Sequence, residues 1–276
     1  MRWYAIGYDG VALSTREGPL DKMTIVKVKN EGSIRCITFD RPGKINALRD
    51  EDLLAVIEAL ETRPEGTEVV IFQGANGNFS AGMYVEEFSG FDLNSSMAHI
   101  RIGAKFLDTI RSLEIPTIAA IEGYCVGLAF DVSLVCDFRI ATDKSSFSMP
   151  EINVGMPCVM DISLLQQHIG MTRAKEMLLT GGFYPARQME EWGFLNRVVP
   201  AGTARDAAAE FAEKHLLGRS PAAVASQKRL FEVWLQHPHK EGVQISLMEY
   251  GMNFANPDTQ SWITKYRAEM AAKKQK

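Results

Sequence analysis

Apolar and polar positions alternate with a period of two in residues 25–28 and 34–39. Asn30-Glu31-Gly32 lies between the two runs, and this pattern predicts a β-hairpin. In residues 50–60 the period changes. Leu53, Leu54, Ile57 and Leu60 fall at helical spacing behind an acidic first turn, so a helix follows the hairpin. Residues 69–72 and 117–121 are short apolar runs, each followed by a glycine-containing turn and a helical pattern, as in strand-turn-helix units. Residues 134–141 and 195–199 read as further strands, with helical stretches at 161–168 and 172–179 between them. The alternation predicts an α/β architecture. From about Thr203 the period is helical only, over 207–217, 221–235, 242–254 and 258–272, with Ser220 as an N-cap before Pro221.

Three regions follow from this reading. Residues 1–23 do not share the later rhythm and form an N-terminal extension of unknown role. Residues 24–202 form the α/β core, and residues 203–276 form a helical C-terminal region. Helices with apolar faces that cannot join a sheet must pack on the core or on another subunit, so oligomerisation is expected.

Composition narrows the function classes. With 276 residues, 46% hydrophobic and 23% charged, the chain can bury a core and is not disordered as a whole. Thirty Lys and Arg against thirty-four Asp and Glu give a net charge of −4. This provides no electrostatic footprint for nucleic acid or anionic lipid. The most apolar stretch, residues 115–136, is interrupted by Glu122 and Asp131, which argues against a membrane span. Residues 1–20 lack the pattern of a secretory signal. Cys36, Cys125, Cys136 and Cys158 lie far apart, as expected of thiols in a reducing compartment, and a cytoplasmic location is expected.

Two glycine-containing segments are candidates for chemistry: Phe79-Ser80-Ala81-Gly82-Met83 and Gly123-Tyr124-Cys125-Val126-Gly127-Leu128. Each lies after a strand pattern and before a helical one. Backbone N–H groups exposed there, together with a helix start, can hold an oxyanion, although such glycines also serve plain turns. Asp131 sits inside an apolar helical stretch. It is either desolvated, with a raised pKa suited to proton transfer, or neutralised by a partner. Glu151 follows Pro150 in a segment with few other charges and reads as a site carboxylate or a cap. Asp161 is expected to N-cap the helix after it. The five histidines show no metal-ligand spacing beyond the surface-like His237-Pro238-His239, and no metal site is expected. No Gly-x-Ser-x-Gly elbow is present.

Taken in order, Arg41-Pro42, Asn46-Ala47-Leu48, Phe79-Ser80-Ala81-Gly82, Ala120-Ile121-Glu122-Gly123-Tyr124, Cys136-Asp137, Phe147 with Pro150-Glu151, Leu178-Leu179-Thr180-Gly181 and Trp192-Gly193-Phe194-Leu195-Asn196 resemble the crotonase, or enoyl-CoA hydratase/isomerase, superfamily. The resemblance implies a spiral of ββα repeats with a helical C-terminal trimerisation region, assembled as a homo-trimer or a hexamer of two trimers. It implies an acyl-CoA thioester substrate, with CoA as part of that substrate and no separate cofactor. The thioester oxygen would be polarised by the backbone N–H groups of Met83 and Leu128. Glu151 and Asp131 would move protons, and Lys44 with Ser80, Ala81 and Gly82 would contact CoA.

Hydration of a 2-enoyl-CoA is the first expectation from this resemblance. The alternatives are 3-enoyl to 2-enoyl-CoA isomerisation by Glu151 alone, carbon–carbon bond hydrolysis, and non-catalytic binding of acyl-CoA or RNA on the same fold. Four departures from the hydratase pattern bear on the reaction and on the acyl group. Asp131 stands where hydratases carry glutamate, Leu128-Ala129 replaces two glycines, residues 155–161 lack a glycine-rich turn, and Tyr84 follows Met83. Residues 88–96 read as a loop that lines the acyl pocket.

Overall fold

The computed structural model describes residues 25–273. The N-terminal extension expected over residues 1–23 lies outside them. The hairpin forms as predicted: β1 (Val26–Glu31) and β2 (Ile34–Phe39) pair antiparallel, with Glu31 opposite Ile34. Then come α1 (Asp50–Glu61), β3 (Val69–Gly74), α2 (Leu93–Arg111), β4 (Thr117–Ile121), β5 (Tyr124–Val126), α3 (Leu128–Val135), β6 (Phe138–Thr142) and β7 (Ser146–Ser148). The chain continues through α4 (Leu165–Ile169), α5 (Met171–Thr180), β8 (Tyr184–Pro185), α6 (Ala186–Glu191) and β9 (Arg197–Val199). Four helices end it: α7 (Ala204–His215), α8 (Pro221–Gln236), α9 (His239–Ala255) and α10 (Asp258–Lys273).

One sheet has the order β1-β2-β3-β4-β6-β9 and is parallel beyond the hairpin, and a smaller one has the order β5-β7-β8. The period of two sorts the large sheet's side chains onto two faces. Ile37, Phe39, Val70, Phe72, Ala119 and Ile121 join the main core with α1, α2 and α3. Ile34, Cys36, Val69, Ile71, Ile118 and Ala120 face the other way and meet Ala204, Ala208 and Ala212 of α7. An alanine every fourth residue gives α7 a flat stripe, which lets it lie close on the sheet. Both faces are therefore covered, which explains why β3 and β4 read as continuous apolar runs.

Two predicted boundaries change. The run at 134–141 is not one strand, because Leu134 and Val135 end α3 and β6 begins only at Phe138. All eight residues of α3 are buried, so the helix shows no polar face and its apolar run cannot be told from a strand by period. Residues 88–96 are not an open loop. A 3-10 turn over Val85–Phe88 leads to α2, which starts behind a capping box in which the Asp92 carboxylate accepts from Ser95 N at 2.8 Å and Ser95 Oγ accepts from Asp92 N at 2.8 Å.

Arg139 closes the core behind α3. Its guanidinium donates to the carbonyls of Phe194 (2.7 Å), Cys136 (2.7 Å) and Ser133 (3.2 Å) and stacks 5.1 Å from the Phe194 ring centre. The side chain is buried, and those carbonyls take the place of water. Arg139→Met is expected to leave them unsatisfied and lower stability by about 3 kcal/mol, read from urea unfolding. A change below about 1 kcal/mol would show that the network contributes little beyond packing.

Candidate active site

The turn after β2 carries the first element of the site. Ile45 and Asn46 both hold left-handed backbone, with φ of 48° and 54°. Asn46 is buried and holds that turn in place: its Nδ2 donates to Ala75 O and Asn78 O at 2.9 Å, and its Oδ1 accepts from Arg41 N at 3.0 Å. Asparagine tolerates this conformation better than most residues, and its amide supplies donors and an acceptor together. Ser80 extends the network by donating from Oγ to Asn46 O at 2.8 Å while accepting from Gly82 N at 3.0 Å.

The two glycine segments meet here. Ser80 N donates to Tyr124 O and Val126 N donates to Ser80 O, which joins them as a short parallel bridge. A second bridge runs from Leu48 N to Gly82 O and from Tyr84 N to Leu48 O, each at 2.8 Å. In that pattern the intervening N–H of Met83 points away from the ladder, and it has no acceptor among the described residues. Leu128 opens α3, so its N–H is one of the helix's orphan donors and is likewise unpartnered among the described residues. Gly82, at φ +83°, brings the segments together. A Cβ built on it would lie 2.5 Å from Val126 O and 3.0 Å from Leu128 N. Only glycine permits this approach, and it places two free donors side by side at a helix N-terminus.

The carboxyl groups lie next to these donors for a topological reason. Strands β5 and β7 run parallel with Val126 beside Ser148, so the chain leaves both at one end. From β5 it enters Gly127 and α3; from β7 it passes Met149 and Pro150 to Glu151. Oε1 of the half-buried Glu151 lies 2.9 Å from where a Cβ on Gly127 would stand. Its other oxygen, Oε2, accepts from the Cys158 thiol at 3.3 Å.

Asp131, one turn into α3, is 1% exposed, and its Oδ1 has no hydrogen-bond partner among the described residues. Burial pushes its carboxyl well above the usual carboxylate range, and the negative charges of Glu151 and then Asp161 push it further. Of the two sequence readings for Asp131, the structure has the desolvated one. Asp161 does not cap a helix. Val159 is the N-cap residue of the 3-10 turn Met160–Leu164, and Asp161 lies within that turn with Oδ1 3.3 Å from Arg111 Nε.

The residues expected at CoA are placed unevenly. Lys44 is exposed, with Nζ 2.8 Å from Glu86 Oε1 and 5.3 Å from the Tyr84 ring centre. The N–H groups of Ser80, Ala81 and Gly82 donate to Tyr124 O, Ile45 O and Ser80 Oγ, so all three are engaged within the protein. The histidines make other contacts: His99 Nδ1 is 2.7 Å from Asp50, and His168 packs edge-on against Phe194. Among the described residues no three His, Cys, Asp or Glu side chains are grouped to hold a metal ion, and no helix is long and apolar enough to cross a membrane. Sequence reasoning passed over Cys158, because a single cysteine in a loop carries no pattern. It also gave Asn46 no role, although its place in the motif near the start of the chain was visible.

Fold and site together define an α/β protein with paired backbone donors beside two carboxyl groups. Comparison with known proteins gives the family. The profile of the enoyl-CoA hydratase/isomerase family matches residues 29–273. The short-chain-enoyl-CoA hydratase of Clostridium acetobutylicum is 26% identical over 245 residues, covering 87% of this chain and 94% of that protein. The carnitinyl-CoA dehydratase of Salmonella paratyphi A is 31% identical over 222 residues, covering 76% and 81%. Among solved structures, an enoyl-CoA hydratase from Bacillus anthracis superposes with a TM-score of 0.82 at 26% identity, covering 89% of this chain and 96% of that one. The chain belongs to the enoyl-CoA hydratase/isomerase family and is an enzyme of that type. The crotonase fold expected from the sequence is the one the structure has.

The raised pKa of Asp131 carries a stability cost. Between the ordinary carboxylate range and the folded value, the native state holds a proton that the unfolded chain releases, so stability falls as pH rises through that window. Asp131→Asn, which is neutral at every pH, is expected to raise the unfolding free energy read from urea denaturation at pH 7 by on the order of 1 kcal/mol and to change it little at pH 3. A destabilised Asn variant at pH 7 would mean that the carboxylate is ionised and paired.

Proposed function

We propose that the protein hydrates a 2-enoyl-CoA thioester. The support that weighs most is the pair of N–H groups, Met83 and Leu128, unpartnered among the described residues and held together by Gly82 beside the Glu151 carboxyl. In this reading the thioester oxygen accepts from both N–H groups. Fixed donors at a helix start stabilise the negative charge that grows on that oxygen as the enolate forms. Glu151 lies next to the Leu128 donor, over Gly127, and so stands near C2, the carbon bonded to the thioester carbonyl. A water held between Glu151 and Asp131 adds its hydroxyl to C3, and C2 gains a proton. One water is consumed, a C3–O bond and a C2–H bond replace the double bond, and both carboxyl groups return to their starting states. The segment 80–82 has its N–H groups engaged, so it would offer CoA the Ala81 carbonyl as an acceptor, with Lys44 available at the exposed rim for a phosphate.

One observation favours a second reading. Asp131 is buried, with an oxygen that no described residue satisfies, and its side chain is one methylene shorter than the glutamate of hydratases. A displacement of about 1 Å at a reacting group can cost roughly 100-fold in rate. Glu151 acting alone would then move a proton between C2 and C4 and isomerise a 3-enoyl-CoA.

Homo-oligomers, trimeric or hexameric, are proposed on the apolar side chains that α8, α9 and α10 leave exposed, among them Trp234, Leu247, Met248, Tyr250 and Met252.

The test incubates the protein with straight-chain and aromatic 2-enoyl- and 3-enoyl-CoA and identifies products by mass. For a hydratase, Glu151→Gln is expected to lower turnover by about 1,000-fold and Asp131→Asn by about 100-fold or more. Double-bond movement that needs Glu151 and survives Asp131→Asn within about tenfold assigns the isomerase instead. Wild-type protein that is folded and leaves every thioester unchanged would overturn both.

A further inference from the structure

Glu151 is the carboxyl group on which both readings above depend, and its surroundings are asymmetric. Oε1 stands over Gly127, the residue before Leu128, whereas Oε2 meets the Cys158 thiol at 3.3 Å. The backbone makes that meeting possible. After the 3-10 turn Glu151–Val154, Gly155 takes left-handed backbone with φ of 79°, and Met156 N donates back to Glu151 O at 3.0 Å. The chain therefore doubles back and presents Cys158, seven residues on, to the carboxylate it has just passed. Cys158 is also packed against the main core, so its sulfur is held and does not swing freely.

We infer that Cys158 is a positioning residue for Glu151. Its S–H donates to Oε2, fixes the plane of the carboxylate, and leaves Oε1 as the oxygen that exchanges protons with the substrate. This rests on the assignment of Glu151 as the proton-transfer group. Burial and the nearby Glu151 charge push the Cys158 thiol up to about 12, so at neutral pH the sulfur keeps its proton and acts as a donor, not as a nucleophile. An S–H bond is weaker than an O–H or N–H bond, so its value here is directional. Serine preserves a donor at this position, whereas alanine removes it.

The test compares Cys158→Ala and Cys158→Ser in the full chain. The alanine variant is expected to lower kcat about tenfold with KM held within about twofold and the urea midpoint unchanged, because positioning acts on the proton transfer and not on substrate affinity. The serine variant is expected to recover kcat to within about threefold of wild type. An alanine variant with wild-type kcat, or a serine variant that falls as far as alanine, overturns the inference. So does a loss confined to KM or to stability.

A second measurement needs no substrate. Cys36, Cys125 and Cys136 are buried and Cys158 is partly exposed, so labelling of the folded protein by the aromatic disulfide dithionitrobenzoate, with Cys158→Ser as blank, reports Cys158. Removing the neighbouring charge in Glu151→Gln is expected to increase the thiolate fraction and speed labelling at pH 8.5 by about tenfold. An unchanged rate overturns the contact. If Glu151→Gln instead keeps wild-type turnover on every thioester, the catalytic reading of Glu151 fails, and the labelling rate still decides whether the two side chains interact.

Discussion

The site depends on the close approach of two chain segments at Gly82. Any other residue there would place a Cβ 2.5 Å from the Val126 carbonyl and 3.0 Å from the Leu128 nitrogen, at a backbone angle that side chains disfavour. With glycine, two donors from different ββα units sit together, one freed by the alternation of a parallel bridge and the other by the start of a helix. No side-chain chemistry is needed to make the donor pair, which is why Met83 and Leu128 can be ordinary apolar residues. Ser80 and Asn46 support the arrangement by using their polar atoms on backbone groups of neighbouring turns.

The second constraint is desolvation. Helix α3 is buried along its whole length, stacked through Phe130 on Phe194 at 4.9 Å, and it brings Asp131 into a region with no compensating cation among the described residues. Burial there favours the protonated form of the carboxyl, which fits proton transfer and works against stability. Arg139, buried at the far end of α3, donates from Nε and Nη1 to carbonyl oxygens and is not among the charges that act on Asp131. Glu151 lies in a different setting, half-buried at the mouth of the same region, with a thiol on one oxygen and a glycine under the other. Two carboxyl groups of similar chemistry are thus given different surroundings by the elements that carry them.

The sequence by itself determined the hairpin, the strand-turn-helix units of an α/β architecture, helix α1 and the helical C-terminal region. Those elements are set by local periods: two for strands, 3.6 for helices. The motif set also determined the family and singled out the segments that bear Gly82, Gly127, Asp131 and Glu151. It failed where period carries no information. The apolar stretch through Leu134 and Val135 belongs to a buried helix, and α2 begins within residues taken for a loop although its Asp92–Ser95 capping box was present.

Only the tertiary structure decided which atoms meet. Among the described residues the Met83 N–H is unpartnered because of the register of the Leu48–Met83 bridge and the Leu128 N–H because it opens α3, while the N–H groups of residues 80–82 are engaged by Tyr124 O, Ile45 O and Ser80 Oγ. That Asp131 is desolvated and not paired depends on what surrounds α3, and that Cys158 reaches Glu151 depends on a left-handed turn at Gly155. These are contacts between residues distant in sequence or joined by irregular backbone. Their energies depend on distance and burial, which a linear pattern of residue types does not contain.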